Sequence, residues 1–341
     1  MRYGKVSRFT RIRRKIGDFI LLILPILFLF IIIPPPGQET IREEKPQEEK
    51  ALPKYSETNI RVYNVSEALV TEYPLEEYLI GVVAAEMPAS FHQEALKAQA
   101  IAARTFALSR KEGLYGSSES HFGASVCTES GHCQAWISKE RFLDGYGGEE
   151  AWEKIEKAVV DTKGMVMIYA GKLINPLYHS NSGGITEDVN EVWAVSGEVP
   201  YLTSVYSPDE SQYSEFEKSV RFSLNEIKEK VKNKYPEAVF SDDARKDIEI
   251  MSYNASGRAD EIKIGSIRIS GTEFRELLSL RSTNLSISFP DKNIVEIVSK
   301  GFGHGVGMSQ CGADALAKKG RSCREILEYY YTEIDVEEVE K

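Results

Sequence analysis

From residue 58 onward the apolar positions repeat with periods that predict elements. Asn59–Asn64 with Ala68–Thr71 reads as a strand or short hairpin. Leu75–Met87 is apolar at 75, 78, 79, 82 and 83, the stripe of one helical face, and Pro88 stops it. Ser90 with Gln93 has the form of a capping box, opening an alanine-rich helix that reaches Glu112 and ends at Gly113. Alanines at 95, 98, 102 and 103 allow another helix to approach closely. Residues 114–150 are rich in glycine and serine and predict a long excursion, followed by a helix over 151–161.

After Gly164 the period shortens to that of strands. Met165–Tyr169, a turn at Ala170-Gly171-Lys172 and Leu173–His179 read as a hairpin. Leu224–Lys234 is a short amphipathic helix, and Ile248–Tyr253, Glu261–Ile264 and Ile267–Ile269 are strands. Thr272 caps a helix running to Leu280, Ile294–Val298 is a strand entering a glycine loop, and Ser309–Lys319 and Arg324–Tyr331 are terminal helices. Helices at both ends with strands between them predict an α+β fold and not a regular βαβ alternation.

The amino-terminal region follows a different pattern. Phe19–Ile33 is an unbroken apolar run of fifteen residues, shorter than the ~20 that a spanning helix needs, though Ile16–Gly17 and Pro34–Pro36 extend the stretch of low polarity. Residues 1–15 carry seven positive charges and no acid, a flank that keeps the amino terminus in the cytoplasm and sends the rest outside. Pro-Pro-Pro-Gly follows the run with no small-x-small site, which favours an uncleaved signal anchor over a cleaved signal peptide; both export the body. The expected organisation is a basic cytoplasmic tail (1–15), a transmembrane anchor (16–36), a Pro/Glu/Lys-rich disordered stalk (37–57) and a folded extracytoplasmic ectodomain (58–341).

Composition narrows the function classes. With 42% hydrophobic and 28% charged residues the chain can build a core, which excludes a disordered or collagen-like protein. The net charge of −10 leaves −17 outside the basic tail, so a nucleic-acid partner is not expected. Four cysteines over 341 residues are too few for a disulfide scaffold.

Three groups of residues carry candidate chemistry. Continuing the apolar stripe 75, 78, 79, 82, 83 by one step reaches Glu86, a carboxyl group on the core-facing side. Lost solvation there raises its pKa and suits a general acid for glycosidic cleavage; the alternative is a glutamate of the last turn that reaches solvent or pairs with an arginine. His121, Cys127, His132 and Cys133 fall within thirteen residues and have the donors of a tetrahedral Zn²⁺ site, with a Cys127–Cys133 disulfide as the alternative. Four protein ligands leave no position for water, so such an ion is structural. The third group is two loops, His179–Gly184, with Tyr178 just before it, and Gly301–Gln310. They present Tyr178, Ser180, Ser182, Gly183, Gly184, His304 and Gln310 and suit close backbone approach to a polar ligand such as a sugar; plain turn chemistry is the other reading. Neither loop is a dinucleotide or phosphate-loop motif, and no Gly-x-Ser-x-Gly or His-Glu-x-x-His occurs.

The chain resembles the stage II sporulation protein D family, which includes amidase enhancers. The resemblance spans about residues 60–332. It rests on Glu77-Tyr78-Leu79 through Ala85-Glu86-Met87-Pro88, on Lys97-Ala98-Gln99-Ala100 through Ala103-Arg104-Thr105, on the His-Ser-x-Ser-Gly-Gly-x-Thr run 179–186, and on Gly303–Gln310. It implies a helical core and a β-rich lobe flanking a glycan-binding cleft. The implied activity is a lytic transglycosylase that cuts peptidoglycan strands, stripped of stem peptides, between N-acetylmuramic acid and N-acetylglucosamine to 1,6-anhydro products. Glu86 would be the acid, with Arg104, Thr186 and Tyr201 in substrate handling or support of the acid. The spacing of His121, Cys127, His132 and Cys133 resembles a zinc site of clostridial-type members. The implied partners are the glycan, an amidase that removes stem peptides, the cell membrane and membrane proteins of engulfment during sporulation.

Two departures stand out. Thr203 follows Pro200-Tyr201-Leu202 where sporulation members often carry lysine, and Cys311 and Cys323 occupy positions that are not usually cysteine. The two thiols could close a disulfide worth about 3 kcal/mol in the chain-entropy model, or remain free and buried. The competing functions are a non-catalytic glycan-binding amidase enhancer, in which Glu86 does no chemistry, and a zinc hydrolase.

Overall fold

The computed structural model describes residues 58–115, 121–193 and 199–339. The tail, anchor and stalk expected over 1–57 lie outside the described residues, among which no helix is long and apolar enough to cross a membrane.

Strands β1 (Asn59–Asn64) and β2 (Leu69–Pro74) form the expected antiparallel hairpin. Helix α1 (Leu75–Glu86) buries Leu75, Tyr78, Leu79, Val82 and Val83, the stripe read from the sequence, and stops where Met87 turns extended before Pro88. Helix α2 (Gln93–Lys111) begins at His92, whose ring accepts from the Glu94 N–H, and not at Ser90. Phe91 N–H bonds back to the Pro88 carbonyl, and Asp314 Oδ1 accepts from the His92 N–H at 2.6 Å. The turn and this long-range contact displace the expected capping box.

The excursion over 114–150 is more ordered than expected. It holds β3 (Val126–Cys127), parallel to β1, and α3 (Lys139–Gly145), before α4 (Glu149–Asp161). Strands β4 (Met165–Tyr169) and β5 (Lys172–Leu173) make a hairpin, but it ends there. Strand β6 (Tyr178–His179) leaves it, and a single turn, α5 (Val189–Val192), follows.

Residues 217–300 build a second lobe. Strand β7 (Glu217–Ser223) leads into α6 (Leu224–Lys234), capped by a Ser223/Glu226 box, and then α7 (Ala244–Asp247). Strands β8 (Ile248–Tyr253), β9 (Ala259–Ile264) and β10 (Ile267–Ser270) form one antiparallel sheet. Helix α8 (Gly271–Leu278) is capped by Ser270, two residues before the expected Thr272. Strands β11 (Asn284–Asp291) and β12 (Ile294–Lys300) pair with β7 in a second sheet. This lobe has its own core of Leu224, Ile227, Val231, Phe274, Val295 and Ile297.

The chain then returns to the helical lobe. Strand β13 (Met308–Ser309) pairs in parallel with β6, helices α9 (Gln310–Lys318) and α10 (Cys323–Tyr330) follow, and β14 (Asp335–Glu338) adds to the free edge of β4. Helix α2 is packed by α1, α4, α9 and α10, so it is buried on nearly all sides. The result is a mixed α and β fold with several small sheets. All four cysteines are free, Cys311 and Cys323 both buried, so neither weighed disulfide is formed.

Candidate functional site

A cleft of about 1060 Å³ opens between the lobes. Glu86, Ala135, Tyr178 and Gln310 line one wall, and Asn254, Arg275 and Glu276 of the second lobe line the other. The opposing walls are brought together by chain returns, not by local sequence.

Glu86 is the last residue of α1 and half-buried. Its Oε1 accepts from the Ala135 N–H at 2.7 Å, and its Oε2 lies 3.5 Å from Gln310 Nε2, which also bonds Gln99 Oε1 at 3.3 Å. No basic side chain pairs with it among the described residues. Burial pushes its pKa up, partly offset by the Ala135 N–H and Gln310. The carboxyl end of a helix also disfavours negative charge. Of the sequence readings of Glu86, the pairing with an arginine does not occur among the described residues, and the carboxyl group opens to the cleft.

The Ala135 N–H is held in place by its own loop. Tyr178 donates to Gln134 Oε1 at 2.9 Å, and Gln134 Nε2 lies 3.4 Å from the Tyr78 hydroxyl. Just before this pair come His132 and Cys133, which converge with His121 and Cys127 so that all four ligand atoms lie within 4.8 Å of one another. Cys127 Sγ–His132 Nδ1 and Cys133 Sγ–His121 Nε2 are each 3.6 Å, and Cys133 Sγ–His132 Nδ1 is 3.5 Å. Tetrahedral bonds of about 2.0–2.3 Å hold donors roughly 3.3–3.8 Å apart, so three of these separations already fit. The 2.9 Å between His121 Nε2 and His132 Nδ1 needs only a small opening. The cluster could hold a metal ion, and it ties the loop under Glu86 to β1 through β3.

The two glycine loops meet at the β6–β13 pair. Gly303 (φ 116°) lets the backbone come so close that an added Cβ would lie 2.7 Å from His179 Cβ, and at Gly307 (φ 71°) it would lie 2.0 Å from the Leu177 carbonyl oxygen. His304 lines the cleft beside Trp193, with ring centroids 5.1 Å apart. Val306 N–H donates to His304 Nδ1, and burial, reinforced by the Arg275 charge, brings its pKa down to about 4, so the imidazole is neutral at neutral pH. Ser180 also faces the cleft.

The other sequence candidates are placed away from it. Arg104 is fully buried, bidentate to Glu76 at 2.9 and 2.6 Å and bonded to the Met165 and Val159 carbonyls. Thr186 Oγ1 is taken up by the Val205 backbone. Tyr201 accepts from the Asn175 N–H and packs on Tyr169. Ser182 and Gly184 donate to a buried carboxylate, Glu210, and Gly183 N–H donates to Asn181 Oδ1. Thr203 bonds Thr332.

Three structural residues were not read from the sequence. Glu210 gathers Ser182, Gly184, Ser207 and Ser309 and so fastens both loops to α9. Glu187 and Arg258, each 1% exposed, form an ion pair at 2.6 Å across the lobes. Asn254 and Ser256 also donate to Glu187, and Arg258 donates to the Ser182 carbonyl. A polar residue in a turn gives no local sign of such a distant partner.

These features define a two-lobed mixed α and β protein whose cleft bears one poised carboxyl group and, beside it, a His/Cys knot. Residues 63–169, from β1 through β4 and including Glu86 and the knot, match the family model described as SpoIID, stage II sporulation protein. The chain is 34% identical to stage II sporulation protein D of Bacillus amyloliquefaciens, over 89% of this chain and 86% of that protein. It is 32% identical to stage II sporulation protein D of Bacillus subtilis (strain 168), over 84% and 81%. An amidase enhancer of Bacillus subtilis (strain 168) is 31% identical over 74% of this chain and 39% of that protein. The chain belongs to the stage II sporulation protein D family, tied to sporulation and the cell wall.

Proposed function

We propose that this protein is a peptidoglycan lytic transglycosylase acting on strands freed of stem peptides. The observation that carries the reading is Glu86: a half-buried carboxyl group with no cationic partner among the described residues, its pKa raised by burial, open to an interlobe cleft. A proton held there is delivered to the oxygen between N-acetylmuramic acid and N-acetylglucosamine. The glycosidic C1–O bond breaks, and the leaving sugar takes the proton as its hydroxyl. The muramic C6 hydroxyl attacks C1, and the Glu86 carboxylate takes the proton that hydroxyl sheds, closing the 1,6-anhydro ring without water. One carboxyl group thus serves as acid and base. The deeply buried carboxylate of the cleft, Glu187, is taken up by Arg258, Asn254 and Ser256.

His121, Cys127, His132 and Cys133 would hold one Zn²⁺, whose four protein ligands supply a cross-link and no open coordination position. The basic tail and apolar run would anchor the body outside the membrane, within reach of the wall, of an amidase and of the engulfment machinery.

The test is digestion of peptide-free glycan with product masses read by mass spectrometry. The native protein yields anhydromuramic ends; Glu86→Gln, still folded, loses about 10²–10⁴-fold in rate. The kinship to an amidase enhancer supports a second reading, a glycan-gripping stimulator. Under it, native protein releases no sugars and Glu86→Gln stimulates an amidase as well as the parent.

A further inference from the structure

The second lobe contributes one feature that the cleavage chemistry does not use. Arg275, on α8, lines the cleft and is half-buried. Among the described residues it is the only lysine or arginine that lines it, while Glu86, Glu187, Glu191, Asp260 and Glu276 bring carboxyl groups to the same walls. Its Nε donates to the Leu280 carbonyl at 3.3 Å, which orients the side chain. Among the described residues its two terminal nitrogens have no acceptor, and it forms no ion pair, not even with its neighbour Glu276. A half-buried guanidinium whose fork opens into the cleft is free to take an anion there. Arg104, by contrast, has its guanidinium taken up by Glu76.

We propose that Arg275 is a specificity-determining residue that binds a carboxylate of the incoming glycan, and that this carboxylate is the lactyl group of a muramic acid residue without its stem peptide. This rests on the glycan reading above. N-Acetylglucosamine is neutral, so within such a strand the lactyl group is the acidic one. A stem peptide converts that carboxyl group to an amide, removing the charge and adding bulk. The planar fork of arginine matches a free carboxylate with two parallel bonds and has no such fit to an amide. The reaction that must come first is therefore amide hydrolysis at the lactyl carbonyl, which releases the peptide amine and leaves the carboxylate that Arg275 reads. The remaining acidic groups of the cleft repel any anion not seated on this one cation, so the β-rich lobe selects and the helical lobe cuts.

The test measures binding to the Glu86→Gln protein, so that nothing is cleaved, with three probes: peptide-free glycan oligomers, the same oligomers with the lactyl carboxyl groups converted to neutral amides, and neutral N-acetylglucosamine oligomers. Adding Arg275→Met weakens binding of the acidic glycan about ten- to hundredfold and leaves the neutral oligomers within about twofold, which also reports an intact cleft. Arg275→Lys recovers part of the loss. Independently of any substitution at 275, amidation of the ligand costs the parent protein the same factor. Equal affinity for the acidic and amidated glycans, or an equal loss for all three probes in Arg275→Met, overturns the assignment while leaving the glycan reading intact. A parent protein that binds none of the three overturns both.

Discussion

Glu86 shows how position on a helix decides chemistry. The same side chain one step round α1 would be solvated and ordinary. Placed on the stripe of Leu75, Tyr78, Leu79, Val82 and Val83, it loses water and keeps its proton to higher pH. Two consequences follow in opposite measurements. The rate of cleavage, plotted against pH, falls as pH rises through the raised pKa of this group, because the acid is then ionised before substrate arrives. Stability moves the same way for a different reason. Between the ordinary carboxyl value and the raised one the folded state binds more protons than the unfolded state, so folding weakens as pH rises across that window. Glu86→Gln removes this loss, and thermal melts at neutral pH are expected to show a higher Tm than the parent, with the difference vanishing at acid pH. A lower Tm at neutral pH would mean that the carboxyl group is a stabilising partner and not a strained acid.

Among the elements, the loop from β3 to α3 has the most work to do with the least secondary structure. It lines the cleft, supplies the Ala135 N–H to Glu86 and places Gln134 between Tyr78 and Tyr178. Little apolar burial holds such a loop, and a metal ion on the His/Cys cluster would supply the constraint that packing does not. Stripping the ion with a chelator is expected to lower Tm and to reduce cleavage together, and added Zn²⁺ should restore both. Loss of activity with an unchanged melt would instead point to an ion that takes part in the chemistry. Cys133→Ser should resemble the stripped protein.

At the scale of the whole molecule, the two cores meet across a cleft that must keep its width. Glu187 and Arg258 are the buried link between them, joining the β8–β9 turn to the first glycine loop. Breaking one side of a buried ion pair leaves an uncompensated charge, so Arg258→Met is expected to cost about 3–5 kcal/mol in denaturant unfolding. Removing both charges in Glu187→Gln/Arg258→Met should cost clearly less than the single change, since no bare charge remains. If the double variant is as unstable as the single one, the pair is not what holds the lobes in register.

Much of this architecture was open to reading from local pattern. Helices α1, α2, α4 and α6 and strands β1, β8, β9 and β12 follow from apolar spacing because each buries one face or, for α2, nearly every face. The four-donor cluster was legible because His121, Cys127, His132 and Cys133 lie close along the chain. Strand β7 escaped notice since Glu217–Ser223 is polar and only lightly buried, and it is a strand because β12 supplies its hydrogen bonds. Likewise Tyr178–His179 looks like the end of a hairpin until Met308–Ser309 arrives to pair with it. The local sequence alone determined the longer helices, the donor cluster and the acid on the core-facing stripe, because periodicity and spacing act over a few turns. Tertiary structure decided that Gln310 meets Glu86 from 224 residues away, that Arg104 serves Glu76, and that Arg275 faces the cleft, because those outcomes depend on which surfaces the returning chain buries together.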